Sequence, residues 1–158
     1  MRPTVVTFDC YGTLVRWDET LRAYFRSILP AGVDAEDFRR AFIAAHTPLC
    51  DGPYRPYNEV LRQSLAGALE RCGLPPDPTG GDGLLAAIRE VPPYPDVPAT
   101  LARLAGRYRL AIISNTEDAL IASTVRGLGV PITVITAERA RAFKPDHRLF
   151  RYAFAHLG

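Results

Sequence analysis

Long apolar runs, paired cysteines and strong net charge are all scarce in this 158-residue sequence. No apolar run approaches the ~18 residues that a membrane span needs, and no signal peptide is visible at the N-terminus. The cysteines Cys10, Cys50 and Cys72 are widely spaced without a CxxC pattern, which favours reduced thiols over disulfides or a zinc site. A net charge of +2 is too small to indicate nucleic-acid binding. These absences predict a cytoplasmic protein that binds neither nucleic acid nor membranes.

The order of the predicted elements indicates an α/β fold. Residues 4–8 are β-branched and aromatic, as expected for a fully buried strand of a parallel sheet. A proline-rich stretch at 91–98 is followed by alternating helices and strands, which is typical of a doubly wound parallel sheet. The elements predicted there are helices at 97–106, 117–127 and 146–157 and strands at 109–113 and 132–136.

The segment between the first strand and the proline-rich stretch has helical spacing throughout. It predicts a helix capped by Asp18, a second helix capped by Asp34, a loop from Pro48 to Pro56, and helices at 57–72 and 83–90. We therefore expect two domains: a discontinuous α/β core formed by residues 1–15 and 94–158, and a helical domain formed by residues 16–93.

Four polar side chains lie where predicted strands end or just beyond. Asp9 follows the first strand, Ser114 and Asn115 follow the second, and Lys144 comes after the third. Because parallel strands end at the same edge of a sheet, we expect these side chains to converge. A carboxylate beside hydroxyl, amide and ammonium groups is a candidate nucleophilic site.

These residues resemble the motifs of the haloacid dehalogenase (HAD) superfamily. Motif I matches Phe8-Asp9-Cys10-Tyr11-Gly12-Thr13-Leu14, motif II matches Ser114-Asn115, and motif III matches Lys144 in Lys-Pro-Asp. Within the superfamily the sequence is most similar to the L-2-haloacid dehalogenases, which carry Asp-x-Tyr-Gly-Thr-Leu and Ser-Asn. The resemblance implies a Rossmann-like core with a helical cap inserted after the first strand.

Tyr11 bears on the reaction type. Phosphatases of the superfamily have an aspartate at this position, two residues after the nucleophile, where it acts as a general acid and lies near Mg²⁺. An alkoxide leaving group needs that proton, whereas a halide is a weak base and leaves without one. Lys144 supplies positive charge beside Asp9 without a metal. Tyr11 therefore favours dehalogenation with no metal or other cofactor.

The resemblance implies a two-step hydrolysis of a small-molecule substrate. Asp9 attacks C2 of a short L-2-haloacid to form an ester, and water then hydrolyses that ester to give a 2-hydroxy acid. Thr13, Ser114 and Lys144 belong to the catalytic set with Asp9. Thr13 is expected to bind the substrate carboxylate or to hold the turn after the nucleophile.

The resemblance also implies a substrate and halide site that includes Tyr11, Asn115 and an arginine of the cap. Arg39 and Arg40 are adjacent where that arginine is expected, and we favour Arg39 because it follows an aromatic residue. Tyr57 falls near the position of an aromatic residue that lines the halide pocket. Structural alternatives stay open, because either arginine could be a surface charge and Tyr57 could belong to the cap core.

The same residues could instead have structural roles: Asp9 could cap a turn, and Ser114-Asn115 could form the N-cap of the following helix. Two further functions also stay open. One is a Mg²⁺-dependent phosphatase acting on a small phosphate ester. The other is an inactive, truncated HAD-like binding module.

The sequence ends before the superfamily's motif IV and its last strands. We therefore expect the first strand to form an edge of the sheet, although its residues are typical of a buried strand. An exposed apolar edge can pair with another chain, which leaves a homodimer open and predicts self-association and poor activity for this 158-residue form.

Overall fold

Residues 4–158 are described by a computed structural model, which contains three strands and eight helices in that range. The strands are β1 (Val5–Phe8), β2 (Arg109–Ser114) and β3 (Thr133–Thr136). The helices are α1 (Trp17–Ile28), α2 (Ala35–Asp51), α3 (Tyr57–Arg71), α4 (Asp82–Arg89), α5 (Val97–Ala105), α6 (Asp118–Gly127), α7 (Ala137–Ala140) and α8 (His147–Leu157). No helix within these residues is long and apolar enough to cross a membrane.

The strands form a parallel sheet in the order β1-β2-β3, which confirms the predicted fold class. Alternate residues of β2 face opposite sides of the sheet. Leu110 and Ile112 pack in a cluster with α5 and α6, whereas Ala111 and Ile113 pack in a cluster with α8. Helices therefore cover both faces, as in a doubly wound sheet.

The first strand is less buried than its sequence predicts. Thr7 is exposed and its neighbours in β1 are only partly buried, whereas five of the six residues of β2 are buried. Among residues 4–158, β1 pairs with β2 alone and therefore lies at an edge of the sheet. The expectation of a fully buried β1 is wrong for this structure, and β2 is its central strand.

Helices α1 to α4 pack around an aromatic cluster. Phe25 of α1 contacts Phe38 and Phe42 of α2, with ring centroids 4.9 and 5.3 Å apart, and all three rings are fully buried. The same cluster continues into the sheet region through Leu120 and Phe143. The proposed domain division at residues 15/16 and 93/94 stays a prediction, and residues 1–3 of the proposed core lie outside the described range.

Three local predictions are wrong. Asp18 is not an N-cap, because α1 begins at Trp17 and the Asp18 carboxylate pairs with Arg39 instead. Helix α2 continues through Pro48 to Asp51, since proline removes only one helical N–H and the next two residues pack against the aromatic cluster. Helix α7 was not predicted, because a single turn is too short to show a helical period.

Replacing Asp34 with alanine should lower the free energy of unfolding by about 1 kcal/mol, because its carboxylate accepts hydrogen bonds from the Glu36 and Asp37 amides. Asp18→Ala is the matched control and should lower it by at most about 0.5 kcal/mol, since it removes only a half-exposed ion pair. Urea unfolding followed by circular dichroism measures both. Equal losses would contradict the assignment of Asp34 as the cap.

Candidate active site

The carboxylate of Asp9 lies directly after β1 and has a partner on each oxygen. Lys144 Nζ donates to Oδ1 at 2.5 Å, and the Thr13 hydroxyl donates to Oδ2 at 3.1 Å. The Asp9 side chain is still 39% exposed. The carboxylate is therefore oriented by two donors and open to an approaching small molecule.

The turn after Asp9 keeps Thr13 close to the carboxylate. The Cys10 carbonyl accepts hydrogen bonds from the amides of Thr13, Leu14 and Val15, at 3.1, 2.8 and 3.2 Å. Gly12 has a φ of +86°, in the left-handed region that favours glycine. This turn returns the chain so that the Thr13 hydroxyl reaches back to Asp9.

Lys144 is held at the same edge of the sheet by the end of β2. Its ammonium also donates to the Ile113 carbonyl at 2.9 Å. The Asn115 side chain clamps the Lys144 backbone: Asn115 Oδ1 accepts from the Lys144 amide at 2.5 Å, and Asn115 Nδ2 donates to the Lys144 carbonyl at 3.1 Å. Asn115 thus fixes the backbone from which the lysine reaches Asp9.

The structure brings Asp9, Thr13, Asn115 and Lys144 into one connected set of hydrogen bonds. Ser114 is the last residue of β2 and is 1% exposed. The convergence at the sheet edge matches the sequence expectation, while the catalytic roles of these residues stay a prediction.

Tyr11 is turned towards α6 and α1. Its hydroxyl lies 3.5 Å from Thr124 Oγ1, and its ring makes an edge contact with Trp17, with centroids 5.2 Å apart. Burial raises the pKa of the Tyr11 phenol to about 12. The side chain therefore stays neutral at physiological pH and adds no negative charge beside Asp9.

Tyr57, at the start of α3, brings an aromatic ring from the helical region towards the site. It is 5% exposed, and its hydroxyl lies 3.0 Å from His46 Nε2. Burial raises the Tyr57 pKa well above its ordinary value, with smaller contributions from groups that include Tyr11 and Asp9. The centroid of the Tyr57 ring also lies 6.2 Å from that of Phe143, the residue before Lys144.

His46 is a partner of Tyr57 that the sequence analysis did not identify. Its ring stacks on Phe42 and meets Tyr57 edge-on, with centroid separations of 6.0 and 5.7 Å. Burial lowers the His46 pKa, which favours the neutral ring. The sequence does contain a signal for its burial. His46 lies four residues after buried Phe42, and residues four apart share one face of a helix.

The two candidate arginines have different surroundings. Arg39 donates to Glu36 from Nε and Nη2 at 2.9 and 2.7 Å and to Asp18 at 3.3 Å, and its side chain is 21% exposed. Arg40 pairs with Asp37 and is 66% exposed. Among residues 4–158, the polar contacts of both arginines are with carboxylates of α1 and α2, so a role for Arg39 in halide binding stays a prediction.

Glu117 is a second residue that the sequence reasoning missed. It is 8% exposed, and its Oε2 accepts from the backbone amide of Asn58 at 3.2 Å, while Oε1 accepts from the Asn58 side chain. Glu117 precedes α6 and Asn58 lies in the first turn of α3. No sequence signal indicated this pair, because 59 residues separate its members.

A metal-binding cluster is not seen in the described range: no group of three or more His, Cys, Asp or Glu side chains within residues 4–158 could hold an ion. Two cavities, of about 670 and 560 Å³, lie among α1, α3 and the loop before α4. Both are lined by Leu69, Leu74, Pro76 and Asp77, away from Asp9.

A parallel sheet that presents a lysine-paired aspartate at its carboxyl edge defines an α/β protein with a candidate nucleophilic site. The haloacid dehalogenase-like hydrolase family matches residues 3–158, and the chain belongs to this family. The resemblance inferred from the three motifs is thereby confirmed.

Within this family, the chain is similar in sequence to (S)-2-haloacid dehalogenases. (S)-2-haloacid dehalogenase 4A of Burkholderia cepacia is 26% identical over 160 residues, and the (S)-2-haloacid dehalogenase of Xanthobacter autotrophicus is 31% identical over 145 residues. The alignments cover 96% and 89% of this chain, which spans 68% and 57% of those relatives.

A solved structure of the L-2-haloacid dehalogenase from Xanthobacter autotrophicus, with chloropropionic acid covalently bound, has a TM-score of 0.82 and 26% identity. The match covers 99% of this chain and 66% of that chain. The fold described above is therefore shared with dehalogenases of known structure.

Two cysteines near the site should be poor nucleophiles. Burial raises the pKa of Cys10 to about 12, helped by the Asp9 charge, and raises the pKa of Cys50 to about 11. At pH 8 both stay protonated, so iodoacetamide should alkylate them at least about a hundredfold more slowly than an exposed thiol. Peptide mass spectrometry measures the rates, with guanidinium-unfolded protein as the control. Rapid labelling of native Cys10 would contradict its burial.

Proposed function

We propose that the protein hydrolyses short L-2-haloacids to 2-hydroxy acids. The observation that carries the proposal is the Asp9–Lys144 pair in a motif that has Tyr11 two residues after the aspartate. Similarity to (S)-2-haloacid dehalogenases at 26–31% identity supports the choice of substrate class.

In the first step the Asp9 carboxylate displaces the halide from C2, forming a C–O bond as the carbon–halogen bond breaks. The halide leaves with the bonding electrons. Lys144 and Thr13 fix the orientation of the attacking carboxylate, which reduces the entropic part of the barrier. A relative with chloropropionic acid covalently bound supports an ester intermediate of this kind.

In the second step water attacks the carbonyl carbon of the Asp9 ester. The ester bond breaks, one proton of the water passes to the alkoxide oxygen of the departing 2-hydroxy acid and the other to solvent, and the carboxylate is regenerated for another cycle. The first step needs no proton donor, since a halide is a weak base, and in the second step the water supplies the proton that the alkoxide takes. Neutral Tyr11 is therefore compatible with both steps, and we propose that no metal or other cofactor takes part.

The hydrogen bonds described above are compatible with the substrate-binding roles that we propose for Asn115, Arg39 and Tyr57. Asn115 Nδ2 uses one N–H for the Lys144 carbonyl, which leaves its second N–H for the halide. Arg39 would exchange its 3.3 Å contact with Asp18 for the halide. Tyr57 presents its ring to the substrate while His46 holds its hydroxyl. A homodimer through the β1 edge and a cytoplasmic location stay predictions.

Asp9→Asn should abolish halide release, because an amide cannot displace a halide to form the ester. We expect the unsubstituted 158-residue protein to release chloride from L-2-chloropropionate slowly but measurably in the presence of EDTA, and a chloride electrode measures the release. Circular dichroism checks that the variant is folded. Release that persists in the variant would rule out the nucleophile. Phosphate release from small esters that depends on Mg²⁺, without chloride release, would instead favour a phosphatase.

Arg39→Ala should lower kcat/KM for L-2-chloropropionate by about tenfold to a hundredfold, because a hydrogen bond from a charged donor to the halide is lost. Arg40→Ala is the matched control and should leave kcat/KM within about twofold, since its ion pair is exposed. Steady-state kinetics of the two variants measures the difference. A larger loss for Arg40→Ala would reverse the assignment.

A further inference from the structure

The start of α3 is capped by a residue from another part of the chain. Helix α3 begins at Tyr57, and Pro56 at its N-cap makes no side-chain hydrogen bond to it. The first N–H groups of a helix have no partner within the helix and need acceptors from elsewhere. Glu117 supplies one acceptor to the backbone amide of Asn58 and another to its side chain.

Glu117 is fixed by its own surroundings. It is the N-cap residue of α6, and its carbonyl accepts the Ile121 amide at 3.2 Å. The preceding carbonyl, that of Thr116, accepts the Glu138 amide at 3.3 Å. The carboxylate is therefore presented to α3 from a short segment that begins with Asn115 of the site.

A second contact joins α3 to the other strand-end segment of the site. Phe143, the residue before Lys144, packs against Tyr57 and Tyr54, with centroids 6.2 and 5.2 Å apart. The segments that carry Asn115 and Lys144 thus each send one side chain to the start of α3. Tyr57 lies between them, next to Asn58.

Asn58 adopts this arrangement in spite of an unfavourable feature. Its Oδ1 atom is buried and has no hydrogen-bond partner among residues 4–158. A buried acceptor without a partner destabilises the folded state. The contact with Glu117 is what orients the Asn58 amide in this position, because both donor groups of Asn58 point to one carboxylate.

We propose that Glu117 is a positioning residue, which caps α3 across the boundary between the helical region and the sheet and thereby holds Tyr57 against Phe143, beside Lys144. The effect on turnover rests on the function proposed above. The loss of this cap should act mainly on KM. Asp9, Thr13 and Lys144 keep their own contacts, whereas the ring of Tyr57, which lines the proposed substrate site, is held less rigidly.

Glu117→Ala and Asn58→Asp test the cap from its two sides. Alanine removes both acceptors of Asn58, whereas aspartate places a second carboxylate against Glu117. Each variant should lower kcat/KM by roughly tenfold, the effect of losing about one hydrogen bond, and mainly through KM. In the double variant Glu117→Gln/Asn58→Asp the glutamine side chain donates and the aspartate side chain accepts. Because this restores a matched pair, kcat/KM should return to within about threefold of the original.

Glu59→Gln is the matched control for charge at the start of α3. Glu59 lies in the same helical turn, and its carboxylate accepts from Gln63 of the same helix. If Glu117 acted only through the helix dipole, Glu59→Gln would have a similar effect. We expect kcat/KM to change by less than about twofold in this control.

Amide hydrogen exchange at Asn58 gives a readout that does not depend on turnover. Protection should fall by at least about tenfold in both single variants and recover in the double variant. Unchanged protection, equal effects of Glu59→Gln, or a double variant no better than the singles would overturn the proposal. If the unsubstituted protein releases no halide, the proposed function fails, and hydrogen exchange still decides whether Glu117 holds α3.

Discussion

The ion pair between Asp9 and Lys144 is the contact on which the site depends. The two residues are 135 positions apart, and the parallel sheet, whose strands end at one edge, brings Lys144 Nζ to 2.5 Å from Asp9 Oδ1. Asn115 and Ile113, at the end of β2, hold the lysine by its backbone and its ammonium. The middle strand therefore sets the distance between the groups contributed on either side of it.

The chemistry at this edge follows from a difference between leaving groups. An alkoxide needs a proton and a halide does not, so the side chain two residues after Asp9 distinguishes the two reactions. In this chain that side chain is Tyr11, which is packed between α6 and Trp17 and stays neutral because burial raises its pKa to about 12. The space near Asp9 then contains an ammonium and a hydroxyl as the donors to the carboxylate.

The sequence was sufficient for those features that depend on local pattern or on strand order. Parallel strands alternating with helices, and polar residues at strand ends, predicted the fold class and the meeting of Asp9 with Asn115 and Lys144. It was insufficient where packing overrides local preference, as in the continuation of α2 through Pro48. It also misjudged the burial of β1, because burial depends on which strands lie beside it and not on the strand's own residues.

The contacts between the helical region and the sheet could not be predicted from the sequence, for a further reason. Glu117 looks like an ordinary acidic residue before a helix, and Asn58 looks like an ordinary residue in a first turn. Their pairing arises because α3 begins after Pro56, which has no side-chain acceptor to offer the helix. A helix that lacks a local cap must find an acceptor elsewhere. Here that acceptor follows Asn115 by two residues, which places the cap of α3 next to a segment of the candidate site.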